Sequence, residues 1–201
     1  MLRMRSCILS PWGVSGALSE RGLDSVLIPM NTTSHWRQDG MTKTSGLSGN
    51  QKRKMKTASR LYAVQALFQM EHSSQTVDVV CAEFLNHRFG ADIDDATLQE
   101  GDVDLFQDIV RHAVNYQAPI DQMTDRGLVA KWPLGRIDPT LRSMFRAAGA
   151  ELMKLDTPAK VVIAEYVDLT AAFYPDGKES KFANAVLDHM ARDARPDDFQ
   201  A

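Results

Sequence analysis

From about residue 55 onward, apolar side chains recur at helical spacing, and the chain reads as one amphipathic segment after another. Residues 56–72 place Leu61, Val64, Leu67 and Phe68 on one side, and residues 76–88 present Val77, Val80, Cys81, Phe84 and Leu85. The cleanest pattern runs over 102–118, where Leu105, Phe106, Ile109, Ala113 and Tyr116 face away from Asp104, Asp108, Arg111 and Asn115. Pro119 supplies no amide donor and is expected to end or bend that helix. A short helix over 120–131 leads to Trp132-Pro133. Asp138-Pro139 then offers a side-chain acceptor followed by a proline suited to a first helical turn. The stripe behind it is Leu141, Met144, Phe145, Ala148, Leu152 and Leu155. Thr157-Pro158 opens a sixth segment in the same way, with Val162, Ile163, Tyr166, Leu169, Thr170 and Phe173 inward. After a turn at Asp176-Gly177, residues 179–192 are expected to bury Phe182, Ala185, Val186 and His189.

No segment alternates convincingly with a period of two, so the expected fold is all-α, a compact bundle of about seven helices. Residues 1–50 have no sustained periodicity and are rich in Ser, Thr, Gly and Asn, which predicts a disordered N-terminal extension. The helical domain is expected over 51–195, with 196–201 a frayed tail. Methionines at 30, 41 and 55 raise a further possibility: the working chain starts at Met30 or Met41, and the residues before it are an artefact of start assignment.

Charge changes this picture. Between Asp39 and Glu71 stand Lys43, Lys52, Arg53, Lys54, Lys56 and Arg60 without a single carboxylate, whereas residues 71–201 carry 13 Lys and Arg against 23 Asp and Glu. The overall net charge of −3 therefore hides a cationic arm joined to an anionic body. An arm of this kind binds a polyanion by releasing condensed counterions, and an acidic body suits a basic protein. Nucleic acid is the first partner implied, a cationic protein the second. The two cysteines, Cys7 and Cys81, lie in segments of different character, which argues against a disulfide framework and fits a reducing cytoplasm. No run approaches the roughly 18 apolar residues of a membrane span, and no membrane partner is expected. The first 40 residues lack the continuous apolar segment of a signal peptide.

Candidate chemistry follows from these patterns. Lys52, Lys56 and Arg60 are spaced by four, so a continued helix gathers them on one side ahead of the apolar stripe. Phe68, or Tyr62, can add a ring face for unstacked bases; the alternative is a solvated basic tail beside a core phenylalanine. Lys181 and Phe182 repeat the pairing of cation and ring, although Phe182 also falls on the core side with Ala185 and Val186. Asn184 and Asp188 share a face with Lys181, and a mid-helix asparagine suits binding or bridging as well as solvation. Glu165 and Asp168 are read as opposite the sixth apolar stripe, on a solvated face. Arg142 and Arg146 are read as exposed, free to meet RNA or a partner or simply to aid solubility. The histidines form no cluster with the cysteines, no nucleotide-binding glycine loop or nucleophile–base signature occurs, and no cofactor, metal or enzymatic activity is expected.

Five fragments in order carry a resemblance. They are Arg60 with Ala63-Val64-Gln65-Ala66-Leu67-Phe68-Gln69, Trp132-x-Leu134-x-Arg136-Ile137, and Phe145-Arg146 with Glu151-Leu152. Val162-Ile163-x-Glu165-x-Val167-x-Leu169 follows, and Lys181-Phe182-Ala183-Asn184-Ala185-Val186-Leu187-Asp188 closes the set. In this collinear arrangement, residues 55–192 resemble the bacterial transcription antitermination factor NusB family. The resemblance implies a two-lobed helical bundle that binds a short single-stranded RNA element, boxA, together with the ribosomal protein NusE. It implies entry into the antitermination complex of RNA polymerase, notably in ribosomal RNA operons, without catalysis. Family members occur as monomers and as homodimers, and that choice stays open. On this resemblance Lys52, Arg53, Lys54, Lys56, Arg60, Phe68, Lys181, Phe182 and Asn184 are the candidate RNA contacts. The chain departs from the family where Phe68 replaces a frequent tyrosine, where Ala185 replaces a frequent glycine, and where lysines replace the usual arginine run. Lysine acts as a point charge without a planar fork, which favours phosphate contact over base readout.

Overall fold

The computed structural model describes residues 46–93, 96–128, 133–175 and 177–200. The expected disorder of 1–50 falls almost wholly outside these, as do the proposed start sites at Met30 and Met41, Cys7, Trp132 of the second family fragment and Asp176 of the expected turn. Among the described residues the chain forms seven α-helices: α1 Gly49–His72, α2 Val77–His87, α3 Val103–Asn115, α4 Gln117–Gly127, α5 Pro139–Lys154, α6 Ala159–Phe173 and α7 Glu179–Ala194. Beside them stand two-residue strands, β1 Asp92–Ile93 and β2 Ala96–Thr97, paired antiparallel, and short 3-10 turns at Leu134–Arg136 and Pro196–Phe199. The all-α expectation therefore holds. No described helix is long and apolar enough to cross a membrane.

Local chemistry sets the helix ends. Helix α1 begins seven residues before its apolar stripe suggested, because Ser48 and Gln51 form a reciprocal cap: the Ser48 hydroxyl accepts from the Gln51 amide at 3.2 Å, and Gln51 Oε1 accepts from the Ser48 amide at 2.8 Å. Asp138 caps α5 as expected, accepting from the Thr140 amide at 2.8 Å with Pro139 in the first turn. Asp138 also accepts from the Tyr174 hydroxyl at 2.6 Å, and burial together with that carboxylate pushes the phenol up to about 12. The parallel expectation at α6 fails by one position: Pro158 is the capping residue, and no side chain caps the helix. Proline also enters α4 near its start, since α3 already ends at Asn115 and Pro119 sits where a free amide would find no intrahelical acceptor.

Helix α5 is the axis of the bundle and packs against α1, α3, α4, α6 and α7. It can do so because small side chains interrupt its large ones: Ala147, Ala148, Gly149 and Ala150 are all buried beside Met144, Phe145 and Leu152. Gly149 marks the closest approach, since a Cβ there would lie 2.4 Å from the Ile120 methyl of α4 and 3.2 Å from Met190 Cε of α7. One lobe joins α2 and α3 to α1 around Val80, Phe84, Phe106 and Ile109. The other groups α4, α6 and α7 about α5. The inward face of α7 is rotated from the expected one. Ala183, Val186, Leu187, Met190 and Ala191 are buried, whereas Ala185 and His189 are not, because the former recur at i, i+3, i+4, i+7 and i+8 and form the apolar stripe that meets α4, α5 and α6.

Candidate nucleic-acid interface

The capping box extends α1 backwards, so its first turns carry Lys52, Arg53, Lys54 and Lys56, all exposed and with no acidic residue in the first turn. This arrangement is unfavourable to the helix on its own. Cations lie near the positive end of the backbone dipole, and Lys52 and Lys56 are like charges four residues apart. It is correspondingly favourable to an anion, which relieves both. The face holding Lys54 continues through Leu61 and Gln65 to Phe68 and His72, all within an arc of roughly 60° around the helix. Along it Phe68 is 38% exposed, and its ring lies over the His72 imidazole with centroids 4.3 Å apart. A flat aromatic surface thus stands about 20 Å along the axis from Lys54, at ~1.5 Å per residue.

Arg60 does not belong to that surface. It is 2% exposed, and its Nε and Nη2 donate to the two Glu151 oxygens at 3.0 and 2.7 Å while Nη1 reaches Glu165 Oε2 at 3.3 Å. The expectation that Arg60 meets RNA is corrected here. A guanidinium four residues before Val64 and seven before Leu67 lies on the core stripe and rotates inward with it. Burial alone would lower the Arg60 pKa, but the acidic groups around it, Glu151 first among them, together raise it. Glu165 is corrected likewise. It sits three residues after Val162 and four before Leu169, on the α6 core stripe, and is 9% exposed. Its companion Asp168 is exposed as expected. Tyr166 is fully buried beside this cluster, and burial followed by Glu151 holds its phenol well above the ordinary value.

Tyr62 is also removed from the candidate ring faces. It is 4% exposed, and its hydroxyl donates to the Gln99 carbonyl at 2.6 Å. Together with Ser59, whose hydroxyl accepts from the Asp102 amide at 2.7 Å, it pins the segment before α3 onto α1. Arg142 and Arg146 are not free surface cations either. Arg142 pairs with Glu71 and donates to the carbonyls of Leu134 and Ile137 at 3.1 and 2.9 Å. Arg146 reaches Glu71 at 3.0 Å and holds both Asp121 oxygens at 2.9 Å. The pair ties the end of α1 and the middle of α4 to α5.

On α7, Lys181 and Asn184 are exposed. Phe182 is half-buried, with its ring edge-on to Phe145 at 6.0 Å, so packing accounts for it. Asn184 borders a groove of about 590 Å³ lined also by Lys160, Ile163, Asp188, Arg192 and Phe199. No hydrogen bond or ion pair among the described residues joins α7 to α1. Of the acidic residues that organise α1, Glu151 was given no role from the sequence and Glu165 was read as solvated. Their phase offered the signal: carboxylates on two core stripes need a buried cation, and Arg60 occupies a third.

Comparison with known proteins agrees with this architecture. The sequence profile described as the NusB family matches residues 57–192. The transcription antitermination protein NusB of Caulobacter vibrioides is 45% identical over 150 residues, covering 74% of this chain and 99% of its own. That of Maricaulis maris is 44% identical over 147 residues, covering 73% and 91%. Among solved structures, T. maritima NusB superposes with a TM-score of 0.57 at 24% identity, over 72% of this chain and 96% of its own, which establishes likeness of fold.

Proposed function

The chain belongs to the NusB family of transcription antitermination proteins, and from that premise we propose that it binds a boxA-like single-stranded RNA and acts with the ribosomal protein NusE in the cytoplasm. In this reading the complex joins elongating RNA polymerase and supports read-through, notably of ribosomal RNA operons. The observation that carries the reading is the exposed run Lys52, Arg53, Lys54 and Lys56 on the first turns of α1, with Lys54 on the same face of the helix as the exposed ring of Phe68. Lysines there neutralise phosphates and release counterions, and Phe68 offers a face to an unstacked base. Lys181 and Asn184 form a second place where the strand or the partner protein can touch. The anionic body, with 23 Asp and Glu against 13 Lys and Arg over residues 71–201, complements a basic ribosomal protein.

A filter-binding titration of the full chain tests this. A boxA-like strand is expected to bind more tightly than a scrambled strand of equal length, and addition of NusE should widen the difference. If four phosphates are engaged, the logarithm of the binding constant falls with the logarithm of salt at a slope of about −2.8. Equal affinity for both strands, with and without NusE, would leave only nonspecific charge and overturn the proposal.

A further inference from the structure

The first turns of α1 should be unstable by their own sequence. They hold four cations at the positive end of a helix, with no carboxylate in the first turn to offset them. Their order therefore needs a source besides the Ser48–Gln51 cap. Helix α6 supplies one. Arg53, Thr57 and Arg60, spaced four and three apart on one face of α1, converge on the single carboxylate of Glu165. The Thr57 hydroxyl lies 2.6 Å from Glu165 Oε2 and 3.2 Å from the Arg53 carbonyl, so its one proton serves the shorter, charged acceptor. Arg60 approaches the same oxygen at 3.3 Å, and Arg53 Nε stands 3.7 Å from Oε1 while its side chain stays 75% exposed. Glu165 is itself fixed by burial and by Arg60, which Glu151 holds from a third helix.

We infer that Glu165, acting through Thr57, is a positioning residue for the RNA surface: it provides from α6 the negative charge that the start of α1 lacks, and so keeps the basic turns helical before RNA arrives. Lys52, Lys54 and Lys56 take no part in this contact and have no ion-pair partner among the described residues, so the anchor orders the turns without occupying the lysines. Arg53 is held only loosely, and a phosphate can draw it from Glu165. An arm ordered in advance binds with more of its intrinsic affinity than one that must fold on the strand. The inference rests on the RNA reading proposed above.

The test uses the full-length chain with Thr57→Val, which leaves charge unchanged, Thr57→Ser, which keeps the hydroxyl, and Glu165→Gln. Amide hydrogen exchange is followed over residues 50–57 and, as an internal control, over α7, alongside boxA-like RNA titrations at several salt concentrations. Thr57→Val and Glu165→Gln are expected to speed exchange over 50–57 while α7 is unchanged. They should also weaken RNA binding by about fivefold. For Thr57→Val the salt slope should stay as in the wild type, because the same lysines are engaged. Thr57→Ser should behave as wild type, and saturating RNA should restore protection to the variants. Unchanged exchange over 50–57, or faster exchange with unchanged RNA affinity in Thr57→Val, overturns the inference while wild-type binding upholds the RNA reading. A wild-type chain that does not bind the strand overturns that reading, and the inference with it.

Discussion

Helix α1 keeps Lys52, Arg53, Lys54 and Lys56 in water over its first turns, yet draws Arg60, one turn further on, inside the protein to 2% exposure. The sequence presents these residues as one basic run. Their environments divide them into two kinds of site. The first four remain hydrated, strongly screened by salt, and available to phosphate. Arg60 has lost its water and replaced it with three hydrogen bonds to two carboxylates. What differs is position along the helix: Arg53 and Lys56 share the side of Arg60, Val64 and Leu67, but they precede the point where that side meets α5. A charge run is thus no guide to function until the neighbouring helices are in place.

The comparison breaks most sharply at Arg60. Arg60→Ala leaves Glu151 buried without its partner and is expected to cost about 3–5 kcal/mol of folding stability, measured by urea denaturation. Replacing both members, as Arg60→Met with Glu151→Leu, should recover most of that loss, since no uncompensated charge remains between them. A small effect of the single substitution would place Arg60 with the exposed residues after all.

Replacing Lys52, Arg53, Lys54 and Lys56 together with alanine should leave stability within about 1 kcal/mol, because alanine is a good helix former and like-charge repulsion is removed. RNA binding should weaken strongly, and the salt slope should shrink by about 0.7 for each phosphate no longer neutralised. Circular dichroism and titration in parallel separate the two effects. A collapse of helicity would mean that these turns are structural.

The smallest effect is expected at Glu71, a paired carboxylate nearer the surface. Its hydrogen bond with Arg142 holds it below the usual carboxylate range. The folded pKa is depressed, so its stabilisation is present above the unfolded carboxylate value and is lost as pH falls through the folded one. Glu71→Gln should therefore lower the Tm near neutral pH, by less than about 1 kcal/mol in stability because solvent screens the pair, and the difference from wild type should vanish in acid. A difference that grew in acid would reverse the sign and reject the ion pair as its cause.

Much of the fold was legible. The fifth helix was marked by Asp138-Pro139 and by a stripe in which Leu141, Met144, Phe145 and Leu152 are buried, while Leu155, its last member, is half-buried just past the helix end. The third showed its two faces plainly up to Ala113, but Tyr116, read as inward, lies past the helix end and is exposed. At α6 the same logic chose Thr157 where Pro158 stands, and at α7 it chose Ala185 and His189, which are not buried, over Leu187 and Met190. The buried positions of α7 recur as one stripe at i, i+3, i+4, i+7 and i+8, and the stripe drawn through Phe182 and His189 misjudged the rotation of the helix.

By itself, the sequence determined the helices, because helical spacing and cap chemistry act over a few residues. It also determined the division between basic arm and acidic body, and the five fragments that resembled a family. Only the tertiary structure decided which charges belong to the surface. Arg60 and Glu151 are 91 positions apart, and Thr57 and Glu165 are 108 apart. Burial of a charge is set by whether a partner arrives to replace its water, and that partner comes from a different helix.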